Sequence, residues 1–398
     1  MSKKFIILFI VFVDVLGIGI VIPVLPFFVE SFSNSPSTVT SLFAIFSLCA
    51  FFSAPVLGAL SDSYGRRPIL LISIFSTAIG WLVFASAQSL VMLFLGRIID
   101  GLAAGNLSTA QSYMADVSTN NKERTSNFGL IGVIFGLGFI IGPAIGGILG
   151  HIDHRLPFWF VGILALINLF LAYLYLPETK ILHTRTTWKM NKINPFPPIK
   201  RAFTNTKLRP GFTAWFLFGV AVAIQQSVFA LYTAKIFGFQ EAVVGSMMTL
   251  VGVILIINQG FLLRKFWLKY FSEPKLEILM LTGLMIGFLL MATSLLVFFV
   301  LGLILAAFGQ SVLRAVMTSQ LASDEKSRGE ILGMMTSIMS LSMIVGPFTS
   351  GWLFEINTHL SFLFAAIVLL IALLVLYTHR RYLKIHRHFA GVNPPVNL

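Results

Sequence analysis

Charge is what this chain has least of. Asp, Glu, Lys and Arg make up only 11% of its 398 residues, against about 25% in an ordinary soluble domain. Acids are scarcest, 15 against 28 basic residues, for a formal net charge of +13. A single cysteine, Cys49, excludes an intrachain disulfide and a thiolate cluster. Nothing reads as a Gly-x-x-x-x-Gly-Lys phosphate loop, so ATP is not expected as an energy source. His151 and His154 share one short loop, and no nucleophile–base or metal-ligand spacing stands out. These absences count against an enzyme, a cofactor and a metal centre, and none is expected.

What remains is apolar: 57% hydrophobic residues, 39 of them Phe, and a mean hydropathy of +0.90. A helical span needs about 20 apolar residues. Twelve such stretches are legible, at 5–28, 39–60, 68–87, 90–115, 127–149, 157–176, 211–234, 242–263, 276–295, 297–320, 329–354 and 360–378. The expected fold is therefore an all-α polytopic membrane protein in a lipid bilayer. The N-terminus runs straight into over 20 apolar residues, too long for a cleaved signal core, and reads as span 1. Arg97 and Arg314 fall within spans, and Arg155 and Lys235 outside. Every other Lys and Arg falls on one side, which the positive-inside rule makes cytoplasmic. An even span count puts both termini there too. The positive charge thus sets topology, and no nucleic-acid partner is expected.

Residues 177–210 are basic and carry a proline cluster, a poor core-former. They divide the chain into a six-helix bundle (1–176), a cytoplasmic linker (177–210), a second bundle (211–379) and a cytoplasmic tail (380–398). The stretch around 196–203 suits the anionic inner leaflet. The bundles repeat at an offset of 204: Arg124 falls on Arg328, Gly129 on Gly333, Gly142-Pro143 on Gly346-Pro347, Gly147 on Gly351, and Gly105-Asn106 on Gly309-Gln310. A fixed offset means duplicated units.

Four motifs carry the chemistry. The first, Gly58-x-Leu60-x-Asp62-x-x-Gly65-Arg66-Arg67, is a charged turn of about a dozen residues between spans 2 and 3. In span 1, Asp14 lies about nine residues from the cytoplasmic end, roughly 14 Å deep and near the centre of a ~30 Å core. In span 4, Arg97 and Asp100 share a helix face. They serve the proton or only neutralise each other. In span 5, Gly138, Gly142, Pro143, Gly146 and Gly147 place small residues on adjoining faces, for a special bend or for ordinary close packing. Polar side chains in spans, Asn106, Gln111, Gln225, Gln226 and Gln310, are candidates for a substrate cavity. Arg314 in span 10 either joins them or snorkels to the inner surface.

The 58–70 turn resembles the signature loop of the major facilitator superfamily. Together with Asp14, Pro23, Pro26, Gly96-Arg97, Asp116, Arg124 and Gly142-Pro143-x-x-Gly146-Gly147, the chain is most similar to the tetracycline-efflux-like branch of its twelve-span drug:proton antiporters. The resemblance implies two pseudo-symmetric six-helix bundles, with substrate near the midplane between them. It implies a monomeric, proton-coupled exporter of an amphiphilic small molecule in a bacterial inner membrane. Asp14 and Asp100 would be the proton sites, with Arg97 tuning them. Asp62, Asp116, Arg66, Arg67 and Arg124 would form a cytoplasmic latch, with Gly58 and Gly65 hinging it and Arg328 near it. Span 9 lacks the acid associated with that branch, holding only Glu277 at its edge, so tetracycline itself is not implied. Two alternatives stay open: a carrier of an organic anion or siderophore-like metabolite, in either direction, and a non-transporting sensor with the same fold.

Overall fold

Inside a bilayer every backbone N–H and C=O needs a partner within the chain, and an apolar run meets that demand as a helix. A computed structural model describes residues 3–118, 121–179, 194–206, 208–321 and 328–389. The elements of the first half are α1 (Lys3–Glu30), α2 (Pro36–Tyr64), α3 (Arg66–Ala85), α4 (Leu90–Leu102), α5 (Asn106–Asp116), α6 (Asn121–Ile152) and α7 (Leu156–Tyr175). A short α8 (Phe196–Thr204) precedes α9 (Arg209–Phe237), α10 (Glu241–Ile257), a π-helical stretch (Asn258–Trp267) and α11 (Leu268–Tyr270). The last are α12 (Glu273–Met291), α13 (Leu296–Leu321), α14 (Arg328–Ile356) and α15 (Leu360–Phe389). Among the described residues, 12 helices are long and apolar enough to cross a membrane.

Two expected spans are not simple helices. The fourth breaks between Leu102 and Asn106, so α4 and α5 together make one crossing. The eighth continues α10 through the π-helical stretch to Tyr270. The dozen-residue turn at 58–70 shrinks to a single residue: α2 runs to Tyr64 and α3 starts at Arg66. Only Gly65 lies between them, at φ 103, a conformation that a Cβ disfavours. The stretch at 196–203 forms α8, which packs against α14 and buries Ala202. Most of the linker's basic residues lie outside the described residues.

Lipid supplies no hydrophobic drive for helix association, so close approach rests on small residues. A Cβ on Gly142 would sit 2.9 Å from the Gly19 Cα and from the Leu16 carbonyl; one on Gly146 would sit 2.8 Å from the Ile20 carbonyl. One face of α6 thus locks to α1. Another meets α10, where a Cβ on Gly147 would strike the Glu241 carbonyl at 2.7 Å. The Thr249 hydroxyl donates to the Ile140 carbonyl at 3.2 Å along the same seam.

The duplication survives as contacts. Gly142 meets Gly19 and Leu16; at the offset of 204, Gly346 meets Ala223 and Val220. Gly138 meets Val15, and Gly219 meets Ser342 by the same shift. The Gly105/Gly309 match has no such counterpart. Gly105 packs on Leu57 of α2, and Gly309 on Met280 and Leu284 of α12.

By contacts the chain forms two compact units, Met1–Pro195 with Gln226–Val253, and Phe196–Gln225 with Ile254–Leu398. Residues 226–253 join the first unit because α10 lies along α6. The first unit is cored by an aromatic nest in which Phe84 and Phe158 stand 4.9 Å apart, Phe28 and Phe158 5.1 Å, and Trp81 stacks on Phe158 at 6.1 Å.

A Gly142→Ala change forces α1 and α6 apart. It is expected to lower stability by about 1–3 kcal/mol, read as a drop in the thermal midpoint of the detergent-purified protein. Gly132, with nothing within 4 Å of its Cβ position, is the control: Gly132→Ala should leave the midpoint unchanged or raise it, since helix propensity favours Ala by about 1 kcal/mol.

Candidate functional site

The first unit holds two polar sets. One is embedded among α1 to α5. Arg97 is 5% exposed. Its Nε donates to the Leu42 carbonyl at 3.3 Å, and its Nη1 stands 3.5 Å from Asp100 Oδ2. The guanidinium lies over the Phe46 ring at 4.5 Å and the Trp81 ring at 5.4 Å. Such ring faces attract a desolvated cation. α3 and α4 meet at Gly80 and Gly96, where either Cβ would strike the other's carbonyl at 2.9 Å. That approach brings Thr77 of α3 to hydrogen-bond the Asp100 carboxylate.

Asp14, half-buried on α1, accepts from Asn106 Nδ2 at 3.1 Å. Asn106 reaches it because the helix breaks at 103–105 and α5 restarts at Asn106 itself. Asp100 lies in the last turn of α4, on the other side of that break. Among the described residues, no cation pairs with Asp14. The sequence expectation grouped Asp14, Asp100 and Arg97 and gave Asn106 to a substrate cavity; the fold bonds Asn106 to Asp14 and Arg97 to Asp100. Thr77, Phe46 and Trp81 were not foreseen; no sequence signal marks an uncharged side chain as a partner of a charge two helices away.

The other set surrounds Gly65. Arg66, 8% exposed, reaches Ser61 Oγ at 2.7 Å, Asp62 at 2.8 Å and Asp116 at 2.9 Å. The Glu178 carboxylate accepts the backbone N–H of Arg66 at 2.9 Å and of Arg67 at 3.0 Å, capping the first turn of α3. A Cβ on Gly65 would lie 2.5 Å from that carboxylate. Gly65 is therefore required twice, for its φ and for Glu178. Tyr113 Oη donates to the Pro177 carbonyl at 2.9 Å and holds this segment to α5.

Arg67 departs from the expected latch. It donates to the Tyr173 carbonyl at 2.7 Å and lies over the Tyr173 ring at 5.7 Å. Gly58 has nothing near its Cβ position, so no close approach requires it. Glu178 belongs to the Leu176-Pro177-Glu178-Thr179 exit from span 6, which also resembles the superfamily, but the expected latch did not include it. The side chains of Arg124 and Arg328 lie outside the described residues.

The first unit has one further pair: His154 Nδ1 lies 2.6 Å from Glu241, which is 3% exposed at the start of α10. In the second unit Gln310 Nε2 donates to Gln225 Oε1, joining α13 to α9. Buried Asn258 donates to the Phe308 carbonyl at 3.1 Å and to Ser311 Oγ, and accepts from Trp267 Nε1 at 2.7 Å across the π-helical stretch. Glu277 pairs with Arg380 of α15. This reverses the polarity of the first unit, where the acid Glu178 follows the sixth span and the base begins the third. Arg314 is exposed, as is Gln111, and Gln226 is half-buried. Gly138, Gly142, Gly146 and Gly147 of α6 are packing elements, as their contacts with α1 and α10 demonstrate.

Comparison with known proteins agrees with this geometry. The family model of the Major Facilitator Superfamily matches residues 7–274 and 265–391. The tetracycline resistance protein, class H, of Pasteurella multocida is 30% identical over 96% of this chain and 97% of that protein. Multidrug resistance protein 2 of Bacillus subtilis is 28% identical over 91% of each. Among solved structures, the nucleoside transporter NupG superposes with a TM-score of 0.73 at 15% identity, covering 96% of this chain and 100% of that one. That likeness is one of fold.

Removing the Glu178 carboxylate strips two backbone N–H groups of a charged acceptor. Glu178→Ala is expected to cost about 1–2 kcal/mol, the loss of a helix cap supplied by an exposed carboxylate. Asp62→Ala, whose side chain is 43% exposed, should cost under about 1 kcal/mol. Thermal unfolding of the two purified variants checks the ranking; equal losses would contradict it.

Proposed function

The chain belongs to the major facilitator superfamily and is a multi-pass membrane transporter of small molecules; on that premise we propose that it exports an amphiphilic molecule, drug-like in character, in exchange for protons. One observation carries the proposal: two carboxylates of the first unit, Asp14 held by Asn106 and Asp100 held by Arg97, flank the break between α4 and α5 with a single guanidinium between them in charge count. The set carries an excess negative charge until one proton binds. Uncompensated charge inside a span costs several kcal/mol, so a proton or a cationic group is the natural counter-charge. Arg97 is committed to Asp100, which leaves Asp14 as the carboxylate that exchanges it.

The helix break supplies a route from proton to gate. α5 begins at Asn106, bonded to Asp14, and ends at Asp116, bonded to Arg66. This 11-residue helix links the two polar sets as one rigid rod, hinged at 103–105. Protonation leaves Asn106 Nδ2 only a neutral, weaker acceptor on Asp14 and adds an O–H donor there, for which the buried, unpartnered Asn106 Oδ1 is an acceptor. Release or rotation there moves α5 and loads the Arg66–Asp116 contact at its other end. Charge-assisted bonds of this kind contribute about 1.5–3 kcal/mol each, enough to bias a two-state equilibrium by tenfold or more. Alternating access, with this latch closing one state, follows from that coupling.

The concentration of Lys and Arg on one side of the spans supports a bacterial cytoplasmic membrane location, with both termini cytoplasmic.

Proteoliposomes with an imposed pH gradient test the coupling. Asp14→Asn should abolish gradient-driven flux while substrate–substrate exchange continues; wild-type flux indifferent to the gradient would sink the proposal. Arg66→Lys should lower transport at least about tenfold, because one ammonium cannot span Ser61, Asp62 and Asp116 as the guanidinium does. Arg67→Lys, which can still meet the Tyr173 carbonyl, should lose far less.

A further inference from the structure

Arg314 is the charge that this reading leaves unused. It stands on α13 about seven residues before the end of the helix, roughly 10 Å at 1.5 Å per residue. Its side chain is exposed. At 100° per residue it lies about 180° round the helix from Leu305 and about 140° from Leu301, the exposed aliphatic face of α13. It therefore points away from that face. One turn earlier on its own side is Gln310, joined to Gln225 of α9.

Neighbouring acids are engaged elsewhere. Glu277 pairs with Arg380, and Glu273 accepts from Ser319 Oγ at 3.0 Å. Among the described residues, no carboxylate pairs with Arg314. An arginine within a span that lacks a protein counter-charge calls for an anion from outside the chain. A guanidinium meets a carboxylate through two parallel N–H donors, and Gln310, one turn earlier on the same helix, keeps a second amide N–H beyond the one it gives to Gln225.

We propose that Arg314, with Gln310 and Gln225, binds the anionic group of an amphiphilic substrate, a carboxylate above all. The inference rests on the transporter reading and adds the chemical class of its cargo. The apolar part of the molecule would rest on the helix faces, and the carboxylate would turn toward Arg314. The competing source of an anion is a lipid headgroup, which an arginine at this depth could reach by extending to the membrane surface.

Binding separates the two. Purified full-length protein in an uncharged maltoside detergent is titrated with dansylaminoundecanoate and, separately, with its methyl ester, following energy transfer from tryptophan. The carboxylate should bind at least about tenfold more tightly than the ester, the worth of one charge-assisted bond. Arg314→Gln should erase that preference without weakening the ester, and Arg314→Lys should keep part of it. Equal binding of acid and ester by the unaltered protein overturns the proposal without recourse to any variant. So does a preference that survives Arg314→Gln, or an Arg314-dependent signal given by phosphatidylglycerol and not by the carboxylate. The measurement uses no pH gradient. Loss of proton-driven flux with the acid preference intact would remove the proposed coupling and leave this site standing.

Discussion

A charge inside a low-dielectric bundle must be matched, and the placement of nearly every polar group here follows from that constraint. Arg97 is answered by Asp100, a carbonyl and two aromatic faces. Arg66 is answered by two acids and a hydroxyl, and Glu277 by Arg380. Each pairing pins two or more helices at one depth. Asp14 and Arg314, by contrast, have no opposite charge paired with them among the described residues.

The helices can present those charges so closely because glycine lines their seams. Gly142 against Gly19 sets the spacing of α1 and α6, and so the position from which Asp14 reaches Asn106. Gly80 against Gly96 sets the spacing of α3 and α4, which delivers Thr77 to Asp100. A methyl group at either seam would move a carboxylate by a fraction of an ångström or more, enough to break a hydrogen bond. Packing and chemistry are one problem in this bundle.

The two halves descend from one plan and have diverged in what they hold. The α1–α6 seam and the α9–α14 seam keep the same contacts at the same offset. The first half invests its ionisable groups in the Asp14 site and the Gly65 latch. The second puts buried amides in their place, Asn258 across a π-helical stretch and Gln310 on Gln225. Amides can position a helix and donate hydrogen bonds but do not titrate as carboxylates do, so the two halves differ in the chemistry that their side chains offer.

Much of this was legible before any coordinates. Span count, duplication, the glycine seam of α6 and the charged turn before α3 all follow from local composition and spacing, because a membrane forces apolar runs into helices and leaves turns to Gly and charge. What spacing could not reveal was partnership. That Arg66 and not Arg67 bridges the acids, that Glu178 caps α3 from over a hundred residues away, and that the fourth span breaks so Asn106 can hold Asp14 depend on contacts among helices distant in sequence. The sequence alone determined which helices exist and which charges they carry; tertiary packing decided which charges meet, because pairing in low dielectric depends on ångström-scale approach that no linear pattern encodes.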